Sequence, residues 1–62
     1  GILFMIEVTK MDSRKMLINE MLIETVEDTP DTVIRLANGN KYIVKENRQQ
    51  ILEKIFEYQR LK

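Results

Sequence analysis

The chain contains no cysteine, no histidine and no tryptophan, and it has two glycines and one proline in 62 residues. The missing cysteine excludes disulfides, and with histidine also absent the usual zinc frameworks are excluded as well. The same two absences remove the commonest general base and the thiolate nucleophile. No serine stands beside a plausible base, and no glycine-rich phosphate loop is present. Charge of one sign is not in surplus: ten basic residues balance ten acidic ones. A domain that held nucleic acid through its phosphates would normally carry a basic excess. Long apolar runs are missing too. The longest, Ile2-Leu3-Phe4-Met5-Ile6, is cut by Glu7, far short of a membrane span, and has no basic stretch before it to make a signal peptide. A cytosolic protein without cofactor or membrane insertion is the expectation.

A chain of 62 residues makes one domain, expected over 1–62. At this size conformational entropy of roughly 1.5 kcal/mol per residue about cancels what a small core supplies. Natural domains so small lean on disulfides, metals or association. Here the first two are gone, so self-association or a partner surface is expected. The hydrophobic fraction of 44% is that of a globular chain. The charges are unevenly placed. Residues 1–31 carry seven acids against three bases, net −4, and residues 32–62 the reverse, net +4. The two halves either face each other in the fold or give the surface a dipole.

Periodicity then sets the elements. Phe4, Ile6 and Val8 alternate with Met5, Glu7 and Thr9, which predicts a half-buried strand. A turn around Asp12-Ser13 leads to a second strand, where Met16 and Ile18 flank Leu17. Asn19-Glu20-Met21 has no strand period and reads as a corner. Over 22–29 the spacing of Glu24, Glu27, Asp28 and Asp31 offers a helix face, but four like charges there would repel. Thr25, Val26 and Thr29 are β-branched and Pro30 closes the segment, so a third strand ending in a turn is predicted. Residues 32–36 and Tyr42-Ile43-Val44 make a hairpin about Asn38-Gly39, with the positive φ values of a type I′ turn.

The tail changes period. Asn47 is placed to cap a helix over 47–61, with Gln50 as its capping-box partner. Ile51, Leu52, Ile55, Phe56 and Tyr58 line its expected core face, opposite Glu53, Lys54, Glu57 and Arg60. Arg60 and Lys62 suit the negative end of its dipole.

The predicted fold class is α+β: a small antiparallel sheet of about five strands with one C-terminal helix packed on one face. Strand parity points Phe4, Ile6, Val8, Met16, Ile18, Val26, Ile34, Leu36, Tyr42 and Val44 at the helix. The opposite face is left with Leu17, Val33 and Ile43 among Lys15, Arg35, Lys41 and Lys45. That face is the candidate interaction surface, represented by Leu17, Val33, Arg35, Ile43, Lys41 and Lys45. Scattered exposed apolar residues are ordinary, so the surface has meaning only if these residues are contiguous. The competing use of the same face is a nucleic-acid-binding regulator built on its basic residues. It is disfavoured by the neutral charge and by aromatics that read as core (Phe4, Tyr42, Phe56, Tyr58) rather than as stacking platforms. The acidic residues are more economically a solvated edge than a calcium loop, which needs six to eight oxygens on a turned backbone. No catalytic or metal residues are assigned.

Several segments together resemble a known family. Met5-Ile6-Glu7-Val8-Thr9 is similar to the start of the FlbD/SwrD family of small bacterial flagellar proteins. Residues 22–34, LIETVEDTPDTVI, resemble its central signature, and Asn38-Gly39-Asn40-Lys41-Tyr42-Ile43-Val44-Lys45-Glu46 its second hairpin. The family usually has Asn-Gly in the first turn, where this chain has Asp12-Ser13, and residues 1–4 precede its usual start as an extension or remnant. The resemblance implies a non-enzymatic role in flagellar motor function and swarming motility. It also implies a flagellar motor or basal-body partner, with the chain peripheral to the flagellar base on the cytoplasmic side.

Overall fold

The computed structural model describes residues 4–60, with side chains as far as Glu57. In order these are strands β1 (Met5–Thr9) and β2 (Lys15–Asn19), a 3-10 turn (Glu20–Leu22), strands β3 (Ile23–Glu27), β4 (Thr32–Leu36) and β5 (Lys41–Val44), and helix α1 (Arg48–Arg60). The α+β class holds, with five antiparallel strands and a C-terminal helix. The strands divide into two sheets, β1-β2 and β3-β4-β5. An antiparallel bridge between Lys10 and Val44 joins them, and the Lys45 N–H donates to the Thr9 carbonyl at 2.8 Å beside it.

Alternation sets the buried face of β1, β2, β4 and β5. Ile6, Val8, Ile18, Ile34, Leu36 and Val44 are buried with Ile51 of the helix in one core. Met16, Ile23, Val26, Tyr42 and Ile55 pack around it half-buried. Phe4 lies just before β1 and is half-buried. Strict parity would put Ile23 and Val26 on opposite faces. A bulge between Ile23 and Thr25 takes up one residue and brings both to the core.

The two hairpin turns share one geometry. In the first, the Ser13 N–H donates to the Lys10 carbonyl at 2.9 Å and the Lys10 N–H to the Arg14 carbonyl at 2.8 Å. In the second, the Gly39 N–H donates to the Leu36 carbonyl at 2.9 Å and the Leu36 N–H to the Asn40 carbonyl at 2.8 Å. Each is a three-residue loop whose last residue has positive φ, 74° at Ser13 and 93° at Gly39. This is the type I turn with a G1 bulge, not the type I′ turn expected of Asn38-Gly39. Within the second turn only Gly39 enters the left-handed region; Asn38 instead accepts the Asn40 N–H at 3.0 Å on its side-chain oxygen.

The corner at 19–22 is a 3-10 turn capped by Asn19, whose Oδ1 accepts the Met21 N–H at 2.9 Å. The turn at 28–31 contains the cis Thr29–Pro30 peptide. Helix α1 starts as its sequence predicts. The Gln50 N–H donates to Asn47 Oδ1 at 2.7 Å, and the Asn47 N–H to Gln50 Oε1 at 2.9 Å. The face of α1 differs from expectation. Ile51 is buried and Ile55 half-buried, but Leu52 is 44% and Phe56 58% exposed. Residues 52 and 56 sit about 100° of helical rotation from 51 and 55, and so short a two-sheet core covers only the narrower stripe. The expectations for Tyr58, Arg60 and Lys62 fall on side chains outside those described.

Candidate functional site: the outer face of the three-stranded sheet

The register places six residues of β3, β4 and β5 in a two-row grid facing away from the core. One row across the strands is Thr25, Arg35 and Lys41; the next is Glu27, Val33 and Ile43. The same six line a shallow concavity of about 380 Å³. Ile43 is 48% exposed and Val33 half-buried, and the helix covers neither, since α1 makes its main strand contact with β1. Ile43 and Lys41 also line the neighbouring depression with Lys10, Met11, Asp12 and Tyr42. Val33 and Ile43 are thus direct cross-strand neighbours, and Ile43 shares the second depression with the exposed Met11.

Four of the six sequence-predicted surface residues are thus brought together: Val33, Arg35, Lys41 and Ile43. Two are not. Leu17 is exposed, but on β2 in the other sheet, opposite Glu7. Lys45 lies beyond β5, where its ammonium donates to Ser13 Oγ of the first turn at 2.7 Å. The single continuous sheet assumed by strand parity would have aligned all six; the division into two sheets separates them. Thr25, Glu27 and Met11 were missed. Parity with Val26 already placed Thr25 and Glu27 on this side, whereas nothing local to Met11 in its turn marked it.

Electrostatically the grid is lopsided. Arg35 stands directly opposite Lys41, a like-charge pair that costs stability in an antiparallel ladder. Among the described residues Glu27 is the one carboxylate in the concavity, a row away and beside Val33. The broader basic stripe is not assembled, because Lys15 belongs to β2 and Lys45 is turned to Ser13.

The perturbed carboxylates lie elsewhere and are structural. Burial pushes the Glu46 carboxyl up, but hydrogen bonds from the Thr9 N–H and the Thr9 hydroxyl, each 2.8 Å, outweigh it and leave the pKa lowered. Asp12 is lowered chiefly by the Arg14 N–H, and then by the Arg14 Nε that it holds at 2.7 Å. Arg48 at the helix start reaches Asp28 at 3.6 Å, a contact between the basic and acidic halves of the chain. Among the described residues no group of three or more His, Cys, Asp or Glu is placed to hold a metal, and no helix is long and apolar enough to cross a membrane.

A family model described as flagellar and swarming motility proteins, FlbD, matches residues 5–62. The chain belongs to the FlbD family. Its match begins with β1 and runs through all five strands and the helix. The family ties the protein to flagellar and swarming motility. No curated protein and no solved structure gave a match.

Proposed function

We propose that this FlbD-family chain is a non-enzymatic interaction module that supports bacterial flagellar motor function from the cytoplasmic side, with the outer face of β3-β4-β5 as its contact surface. The observation that carries the reading is the grid itself. Two neighbouring apolar residues, Val33 and Ile43, lie uncovered beside two neighbouring cations, Arg35 and Lys41, in one shallow concavity. An apolar centre with a charged rim is the anatomy of a protein contact. The partner expected is a flagellar motor or basal-body protein that presents an apolar side chain next to a carboxylate.

The test is crosslinking capture from flagellated cells with the wild-type chain and with Val33→Thr/Ile43→Glu. A motor or basal-body protein crosslinks to the wild type and is lost with the variant. Equal capture by both would remove the surface from the account. A nucleic-acid regulator using the same face would instead bind nucleic acid at low salt and lose it in Arg35→Glu/Lys41→Glu.

A further inference from the structure

A second uncovered apolar surface lies on the helix. Leu52 and Phe56 are one turn apart on α1 and both exposed, and Glu53 and Glu57 form the next exposed ridge around the helix. The helix thus carries an apolar pair beside an acidic pair. The sheet carries an apolar pair, Val33 and Ile43, beside a basic pair, Arg35 and Lys41.

The two patterns match in dimension as well as in sign. Along α1, Leu52 and Phe56 are about 6 Å apart, and across adjacent strands Val33 and Ile43 are about 5 Å apart. The helix ridges are separated by about 5–6 Å, and the sheet rows, two residues along a strand, by about 6.6 Å. A helix laid across the strands would set apolar ridge on apolar row and acidic ridge on basic row together. The like-charge pair Arg35/Lys41, unfavourable in the isolated chain, would then meet two carboxylates.

We propose that copies of this chain stack head to tail, the Leu52/Phe56 flank of α1 in one copy seated on the Val33/Ile43 face of the next. The inference rests on the reading of that sheet face as a contact surface and names a second copy as an occupant. The two surfaces differ, so the contact is heterologous and does not close on a pair; an open stack ends with one sheet face free for a flagellar partner. The contact is small and therefore transient. It also fits a domain with no disulfide to reinforce a small core.

Charge exchange tests this. Sedimentation of the purified full chain is followed from about 1 µM to about 1 mM at low salt, the range of weak contacts. The wild type is expected to gain apparent mass with concentration. Arg35→Glu/Lys41→Glu and Glu53→Lys/Glu57→Lys are each expected to remain monomeric, because each makes both contact surfaces alike in charge. An equimolar mixture of the two variants is expected to regain association, since the acidic sheet of one meets the basic helix of the other. The exchanges leave the two variants at net −4 and +4, so a stack further requires that Leu52→Ser/Phe56→Ser, added to the basic variant, abolishes the recovery; recovery that survives it would overturn the stack. A wild type that stays monomeric, association untouched by the two exchanges, or a mixture that stays monomeric would each overturn the stack. A monomeric wild type that still loses flagellar capture in Val33→Thr/Ile43→Glu would overturn the stack and leave the contact-surface reading standing. A stacking chain with capture unchanged in that variant would do the reverse.

Discussion

Glu46 shows how one side chain ties the two ends of this fold together. It follows β5, yet both of its oxygens are engaged by Thr9 at the end of β1. Its pKa is lower in the folded chain than its ordinary value of 4.5. A carboxyl depressed by folding stabilises the protein above its unfolded pKa, and that contribution is lost as pH falls through the folded value. Denaturant midpoints should therefore drop on acidification below about pH 4.5, and Glu46→Gln should be less stable at neutral pH with a shallower acid limb. A variant whose midpoint keeps the wild-type pH dependence would show that Thr9 holds no charge there. Ser13 makes a second residue-scale prediction. Its φ of 74° is a left-handed value, where glycine is at home and serine is strained. Ser13→Gly should raise stability by about 0.5–1 kcal/mol. Lys45→Ala, which removes the exposed bond to Ser13 Oγ, should change it little. A loss of stability in Ser13→Gly would mean that the hydroxyl matters more than the backbone.

At the scale of elements, the sequence was readable wherever local chemistry decides. The Asn47/Gln50 capping box forms as its spacing says, and Asn47→Ala should cost about 1 kcal/mol by chemical denaturation. Unchanged stability would mean that packing of Ile51 alone places the helix. The β-branched run with Pro30 correctly outweighs the acidic i, i+3, i+4 pattern in β3, because strand pairing separates charges that a helix would bring together. Three features were not legible, each for a long-range reason. The bulge at Ile23/Thr25 appears only when β4 is alongside, so parity alone leaves Ile23 outside the core. The Asn38-Gly39 pair is compatible with two hairpin turns, and the three-residue register of β4 with β5 chooses between them. The helix stripe looked wide enough to bury Leu52 and Phe56, but its width cannot reveal how much core lies beneath.

For the whole molecule, the same limit governs the candidate site. Parity found Val33, Arg35, Lys41 and Ile43, since β4 and β5 alternate without a bulge. It could not know that the ribbon divides, which sends Leu17 to another surface, or that Lys45 would turn to Ser13. The core is small enough that single truncations should be severe: Ile34→Ala should cost about 2–5 kcal/mol, against a total of order 3–9 kcal/mol for a chain this long. Outer-face substitutions should behave differently, leaving the denaturation midpoint near that of the wild type. This separation of stability from contact makes a decisive measurement available: the swarm expansion rate of cells whose only copy of the chain carries Val33→Thr/Ile43→Glu. With the variant folded and present at the normal level, expansion is predicted to fall to the rate of cells lacking the chain. Expansion at the wild-type rate would contradict the claim that this sheet face is where the protein acts.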